Sequence, residues 1–445
     1  MNNYTTNKIN IQDYDLIVNS ISHERDKQGN KLVIINCSLN ENEVNPCPHC
    51  GSISNKVKDY YTRNIKYIET FGYPSIIRFR QKRLICSDCN KTFNLSSSIV
   101  SKGCSISNPT KIKVIQKVKS KQSFKEIAEQ VNISNTSTIS AFINSVAISR
   151  NELTEIICID EFKANTEHGK YAFIMGDPVT GNIIDILPSR KQEYIYHYFN
   201  KIKPEERFRV KYLVSDMYES FRTVKKELFP NAIHIVDRFH WIRFTTEAFN
   251  KLRIRIMKEY LKEYEISKDI DLKRELSLYI RIMKSNYKLF LANKYRKEET
   301  YFTSEIKLPG YKDKLSKQEI IEFILNTNKE LENGYFILQE LYKISIFSNE
   351  ENAKENILNW INEVKSLNIK EFNVVCNTYK SWLNEIVNSF IINDETKKRL
   401  TNGFIEGKNN LCKVIKRLGF GYKKFELLRN RILFISNKNQ TIKNK

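Results

Sequence analysis

Residues 213–241 read LVSDMYESFRTVKKELFPNAIHIVDRFHW. Two short apolar runs here each end in an aspartate, Val214-Ser215-Asp216 and Ile235-Val236-Asp237, with an amphipathic stretch, YESFRTVKKELF, between them. An acidic side chain at the end of a buried strand is costly unless something there needs it. The segment therefore predicts strand–helix–strand, with working carboxylates on the rim of a sheet.

Upstream, EIICIDEFKA (155–164) reads as a strand, YAFIMGDPVTGNIIDILPSR (171–190) as two more around a turn at Thr180-Gly181, and KQEYIYHYFNKI (191–202) as an amphipathic helix. The order β-β-β-α-β-α-β predicts a mixed α/β sheet that begins with antiparallel neighbours, the order of a ribonuclease-H-like domain. Alternation puts Ile156, Cys158, Asp160 and Phe162 on one face of the first strand, with Glu161 on the other. It puts Tyr212, Val214 and Asp216 on one face of the fourth. If those strands are neighbours, Asp160 and Asp216 meet, and a divalent cation relieves their repulsion. Asp237, with His240 three residues on, admits three readings: a third metal ligand, a partner behind the ligands, or a buried Asp–His hydrogen bond. The last two are favoured. Asp177 and Asp185 flank a hairpin and read as turn or edge residues.

Downstream, Trp241 to about Lys398 reads as helix after helix, with capping boxes at Ser316–Glu319 and Ser348–Glu351. Then TNGFIEGKNNLCKVIKRLGFGY (401–422) predicts a helix with Phe404, Leu411, Ile415 and Leu418 on its core side. Glu406, Asn410, Lys413 and Arg417 share the other side: one acid followed only by an amide and bases. That pattern suits a carboxylate that holds metal beside side chains that hold a DNA backbone. Lys408 falls on the apolar side and fits this wheel poorly.

The front of the chain has a different chemistry. Cys47-Pro-His-Cys50 and Cys86-Ser-Asp-Cys89 are two Cys-x-x-Cys knuckles separated by β-prone sequence, VKDYYTRNIKYIETF and SIIRFRQKRLI. This spacing predicts a zinc ribbon with one structural Zn²⁺ on four thiolates, leaving His49 outside the shell. Residues 108–147 follow with Ser123–Glu126 as a capping box, a polar turn at Asn132-Ile133-Ser134, and a second helix from about Thr136 to Val146. That is the shape of a helix-turn-helix, with Asn135, Thr136, Ser137 and Thr138 near the end that meets base edges.

Charge agrees with a polyanionic partner. The 445 residues carry 73 Lys+Arg against 51 Asp+Glu, a net charge of +22. Residues 102–125 hold seven lysines and no acid, and from Gly407 onward eleven Lys/Arg face one acid, Glu426. Both blocks suit phosphate contacts. No run of 18 or more apolar residues exists and the first ten residues lack the apolar core of a signal peptide, so no membrane partner is expected. The expected location is the bacterial cytoplasm, nucleoid-associated when bound to DNA.

CIDEFKA (158–164), SDMYESF (215–221), FPNAIHIVDRFHW (229–241) and TNGFIEGKNNLCKVIKR (401–417) resemble, in order and spacing, the signature blocks of the ISL-three family of bacterial insertion-sequence transposases. The resemblance spans nearly the whole chain. It implies an Asp-Asp-Glu transposase with a ribonuclease-H-like core interrupted by a helical insertion, with Asp160, Asp216 and Glu406 as catalytic triad and ligands of two Mg²⁺ (or Mn²⁺). Asp237 and His240 resemble the Asp-x-x-His motif found after the second catalytic aspartate in related transposases. The expected fold is multidomain α/β. An N-terminal β-rich domain with the zinc ribbon covers 1–105 and a helix-turn-helix domain 106–150. The catalytic core begins over 151–245, an all-helical insertion fills 246–398, and the last core helix with a basic tail occupies 399–445. Partners implied are double-stranded DNA, as terminal inverted repeats and target, and a homodimer or higher oligomer. The expected activity is two-metal phosphodiester hydrolysis and strand transfer. Its rivals are a non-enzymatic zinc-ribbon/helix-turn-helix regulator and a metal-dependent nuclease without strand transfer.

Overall fold

The computed structural model describes residues 15–39, 45–95, 97–308, 314–394, 397–437 and the backbone of 441–442. The N-terminal stretch and much of the basic C-terminal tail thus lie outside the described residues. The chain divides into two compact units, one drawn from Met1–Arg150, Lys163–Lys170 and Asn410–Lys445, the other from Asn151–Phe162 and Tyr171–Asn409.

In the first unit, β1 (Leu16–Arg25), β2 (Lys31–Leu39), β3 (Asn55–Thr70), β4 (Tyr73–Cys86) and β5 (Thr92–Asn94) form a sheet of order β1-β2-β4-β3, with β5 on β4. The long β3–β4 hairpin turns through Phe71 and Gly72, both at positive φ (53° and 77°) as the twist of a tight hairpin demands. Alternation sends Val33, Ile35, Cys37, Ile65, Tyr67, Ile77 and Phe79 to one buried face. Three helices follow: α1 (Asn108–Val118), α2 (Phe124–Gln130) and α3 (Asn135–Ser145). The Ser123–Glu126 capping box starts α2 as expected, and Ser134 caps α3 by accepting from the Ser137 N–H. Asn132 makes the turn between them at φ 52°, a conformation asparagine tolerates well. A two-residue strand β6 (Val146–Ala147) pairs with Thr441–Ile442, and helix Phe425–Ser436 places Phe434 edge-on to Phe142 at 5.4 Å.

The second unit carries a five-stranded sheet of order β11-β10-β7-β8-β9, made from β7 (Ile156–Thr166), β8 (Gly169–Asp177), β9 (Asn182–Leu187), β10 (Tyr212–Ser215) and β11 (Ile233–Val236). β10 runs parallel to both β7 and β11, while β8 and β9 are antiparallel. Helices α4 (Gln192–Phe199), α5 (Pro204–Phe208) and α6 (Glu219–Leu228) connect the strands. Ile157, Ile159, Phe173, Met175, Leu213, Phe221 and Val224 close one core between sheet and helices.

After β11 the chain enters α7 (Arg238–Ile266), α8 (Ile270–Ser285), α9 (Tyr287–Phe290), α10 (Glu299–Thr303), α11 (Lys317–Leu325), α12 (Lys329–Phe347), α13 (Ala353–Ser366), α14 (Lys370–Ser381) and α15 (Leu383–Asn388). Their shared core includes Trp241, Phe249, Leu338, Trp360 and Tyr379. Trp360 donates to the Ile337 carbonyl, as a buried indole N–H requires. Two expectations are corrected here. The segment is not all-helical: β12 (Glu305–Lys307) pairs with β13 (Lys314–Ser316), and β14 (Ile392–Asn393) with β15 (Lys398–Arg399), satisfying backbone groups where helices stop. The capping box at Ser316–Glu319 is present, but Ser348 ends α12 and α13 begins only at Ala353, after an asparagine turn in which Asn349 accepts from Glu351 and Asn352 N–H.

Helix α16 (Gly403–Leu418) begins in the second unit and continues into the first from Asn410. Its buried face is Ile405, Asn409, Cys412 and Ile415, about a quarter turn from the expected Phe404, Leu411, Ile415 and Leu418 face. The wheel treated asparagine as solvent-seeking, yet Asn409 is buried because an acid binds it. Lys408 is half-buried, its ammonium 5.3 Å from the Phe404 ring centroid.

Candidate active site and zinc-binding cysteines

The parallel pairing of β7 and β10 sets the site. The register matches Tyr212 to Ile156, Leu213 to Ile157 and Val214 to Cys158. Carried two residues further, it brings Asp216 opposite Asp160. Asp160 is only 8% exposed. Burial, and then the Asp216 charge, push its carboxyl up to about 7. Two acids so placed cannot both ionise comfortably without a compensating charge.

Compensation within the chain comes from three side chains. Asn409 Nδ2 donates to Asp160 Oδ2 at 2.6 Å and to the Glu161 carbonyl at 3.3 Å, while the Glu161 N–H donates to Asp160 Oδ1. Asn402, fully buried, donates through Nδ2 to Asp216 Oδ1 and to the Ile159 carbonyl, each at 3.3 Å. His240 Nε2 lies 2.9 Å from Asp216 Oδ1 and 3.9 Å from Glu406 Oε1. Burial opposes an imidazolium there, but the Asp216 carboxylate outweighs it and holds the His240 pKa above its ordinary value. Asp160 and Asp216 are thus neighbours, and one imidazole nitrogen links Asp216 to Glu406; among the described residues the three carboxylates do not all come within 4.8 Å of one another, as the cysteine sulfurs do. Asp237 caps α7 by accepting from the Phe239 N–H, and its other oxygen accepts the Asn402 backbone N–H. Its carboxylate thus braces the turn ahead of α16 rather than the His240 ring, whose partner is Asp216.

Glu161 pairs with Arg190 at 2.6 Å, and Arg190 lies over the Tyr171 ring at 4.5 Å. Glu161 and Arg190 join Asp216, His240 and Tyr218 around a cleft of about 290 Å³. Asp177 is a turn residue as expected, accepting from Val179 N–H and Thr180 Oγ1. Asp185 is buried and accepts from the Tyr198 hydroxyl.

The four cysteines meet. All their sulfurs lie within 4.8 Å of one another, with Cys47–Cys89 at 3.7 Å and Cys50–Cys86 at 3.5 Å. Tetrahedral Zn–S bonds of about 2.3 Å require sulfurs roughly 3.8 Å apart, so the quartet fits that ion. Backbone N–H groups of Cys89 and Asp88 aimed at Cys86 hold its thiol below the ordinary range, and the thiol of its neighbour Cys50 is moved the other way as the sulfurs share protons. His49 is exposed beside the site.

On α3, Asn135 and Thr136 are exposed and Ser137 half-buried. Thr138 is a correction: it is fully buried and donates to the Ser134 carbonyl, because the fourth residue of a capped helix turns back toward its core. Ser140 and Asn144 extend the exposed face instead. Asn410, Lys413 and Arg417 are all exposed. The residues that sequence reading missed are Asn402, Asn409 and Arg190. Only Asn402-Gly403 carried a signal, as a turn before a helix.

A family model described as "Transposase" matches residues 157–432, and a model of the zinc finger of the IS204/IS1001/IS1096/IS1165 transposases matches residues 43–89. The chain belongs to the ISL-three family of transposases. It is 21% identical over 407 residues to the transposase for insertion sequence element IS1001 of Bordetella parapertussis, covering 88% of this chain and 89% of that protein. The transposase match spans Asp160, Asp216, His240 and Glu406, and the zinc-finger match ends on Cys89. Among the described residues, no helix of this transposase is long and apolar enough to cross a membrane.

Proposed function

We propose that this transposase binds the terminal inverted repeats of its insertion sequence and catalyses phosphodiester hydrolysis and strand transfer, with Asp160, Asp216 and Glu406 as its catalytic carboxylates. The observation that supports this is the β7–β10 register, which continued two residues past Val214 and Cys158 puts Asp216 opposite Asp160, with His240 between Asp216 and Glu406 of α16. The strand order β9-β8-β7-β10-β11, antiparallel then parallel, supports a ribonuclease-H-like core. The three capped helices of residues 108–145 support a helix-turn-helix, with Asn135, Thr136 and Ser137 toward the major groove.

An all-oxygen, acid-rich donor set suits Mg²⁺ or Mn²⁺, and the raised carboxyl of Asp160 fits residues that await a cation. A pair of such ions would make water or a DNA 3′-hydroxyl a better nucleophile and stabilise the leaving oxygen. The chain's own residues do the rest. Asn402 and Asn409 fix the carboxylate planes of Asp216 and Asp160. His240 sets its Nε2 between Asp216 and Glu406, and Asp237 keeps the turn before α16 in place. Asn410, Lys413 and Arg417 hold the DNA backbone. The zinc ribbon and helix-turn-helix read the ends, and two ends in one reaction call for a homodimer or larger assembly.

The test is cleavage and strand transfer on DNA carrying the element's own ends, with Mg²⁺, comparing the parent protein with Asp216→Asn. Nicking and joining by the parent alone, with end binding kept in the variant, is the expected result. Binding without Mg²⁺-dependent cleavage in either protein would make this a regulator, and cleavage without joining a nuclease.

A further inference from the structure

Arg238, Arg296, Lys398 and Arg399 line one open recess of about 540 Å³, with Tyr295 and Thr401. Among the described residues, none of the four cations stands in an ion pair with a carboxylate. Arg238 and Arg399 both donate to the same neutral acceptor, the Ser345 carbonyl, at 3.1 and 2.8 Å. Their guanidinium groups are therefore held side by side. Asp237, the acid adjoining Arg238 in sequence, spends its oxygens on the Phe239 and Asn402 N–H groups. Burial, then Arg296 and Arg399, push the Arg238 guanidinium down from its ordinary value. Like charges brought together without a counter-ion are costly, and an anion in the recess removes that cost.

We propose that this recess is a phosphodiester-binding site that seats the DNA backbone on the segments leading to the catalytic carboxylates, an assignment that rests on the transposase reading above. Arginine forks match phosphate oxygens bidentately, and Arg296 is placed to do so; Arg399, whose two terminal nitrogens donate to the Ser345 and Ser348 carbonyls, and Arg238 supply fixed positive charge behind it. The recess is tied to the site through two adjacent peptides. Arg238 follows Asp237, and Thr401 precedes Asn402, whose backbone is held by Asp237 and whose amide reaches Asp216. A phosphate seated there would fix the strand's path within one residue of the groups that orient the catalytic acids. The exposed Arg296 and Lys398 at its mouth suit a long polyanion better than an enclosed small ion.

The experiment uses the full-length, zinc-loaded protein and a fluorescent duplex of about 30 base pairs, with affinity followed from about 50 to 200 mM salt. The double variant R296A/K398A removes two exposed cations whose side chains hold no hydrogen bond among the described residues. Each phosphate contact contributes about 0.9 to the slope of log K against log salt, so the slope should shrink by about two. Affinity at the higher salt should fall roughly tenfold. The control K258A/K262A removes the same charge from the exposed face of α7 and should change either value far less. An unchanged slope in R296A/K398A, with tight binding by the parent, would overturn the recess assignment and leave the transposase reading standing. Protection of the parent alone by inorganic phosphate, with the DNA slope unchanged, would make the recess a small-anion site and overturn it equally. Failure of the parent to bind any duplex would remove both.

Discussion

Asn409 donates to the Asp160 carboxylate across 2.6 Å from the buried face of the helix that carries Glu406, three residues earlier. The same helix thus brings one acid to the site and supplies the amide that holds another. Asn409 is 6% exposed and has a second acceptor in the Glu161 carbonyl. Its substitution is felt by the site before it is felt by the fold.

Asn409→Ala removes both donations and leaves a buried carboxyl short of a partner, at a cost of about 1–3 kcal/mol. The cleavage rate should fall and the Mg²⁺ concentration for half-maximal rate should rise, while affinity for element ends stays within about twofold. Urea melts and a Mg²⁺ titration of cleavage would measure this. A change in end binding alone, with normal Mg²⁺ dependence, would place Asn409 outside the site.

Much of this was legible in the chain. Val214-Ser215-Asp216 and CIDEF read directly because strand alternation has a period of two, and one acid among apolar residues on a buried face has few explanations. The cysteines were equally plain, since tetrahedral zinc needs two paired knuckles. The phase of α16 was not. Asn402 and Asn409 are polar residues buried by specific bonds to distant acids, and no periodicity encodes a partner more than 180 residues away. Thr138 misled for the opposite reason: it looks like a base-reading side chain but satisfies its hydroxyl within its own helix turn.

The zinc site predicts a thiol count. Of nine free cysteines, Cys37, Cys158, Cys376 and Cys412 are buried away from the knuckles, and Cys104 is partly exposed. A thiol reagent should titrate one cysteine in the zinc-loaded protein and five after chelation, as the quartet opens. Cys86→Ser should give the same loosening without a chelator, because a structural ion's binding energy is folding energy for its unit. A count unchanged by chelation would mean that the four sulfurs do not hold metal.

His240 predicts a coupling that nuclear magnetic resonance reads directly. Its folded pKa is raised, so its contribution to stability is fully present below the unfolded value near 6.5 and is lost as pH rises through the folded value. Mg²⁺ drawn to Asp216 competes with the imidazolium for that carboxylate and should lower the His240 pKa toward about 6.5. His240→Ala should weaken the rate more than end binding. An imidazole titration indifferent to saturating Mg²⁺ would separate His240 from the cation site.

Asp160 adds a second pH dependence to the ion-free protein. Its carboxyl is raised to about 7 by burial and by Asp216, so the folded state holds a proton that the unfolded chain releases near 3.9. The stability this proton gives is complete below about pH 4 and disappears as pH rises through about 7. At pH 8 the buried pair is strained, and Asp160→Asn should stabilise the zinc-loaded, Mg²⁺-free protein by on the order of 2 kcal/mol there, with little gain at pH 5. The replacement amide accepts fewer bonds than the carboxylate, which trims the gain; Asn409 Oδ1, without a partner in the described structure, can take the new N–H after its own amide turns. Mg²⁺ should stabilise the parent at pH 8 and leave the variant unmoved, which thermal melts at the two pH values resolve. A variant less stable than the parent at pH 8 would mean that Asp160 is ionised and satisfied by the protein alone, and the case for a cation between Asp160 and Asp216 would lose its electrostatic ground.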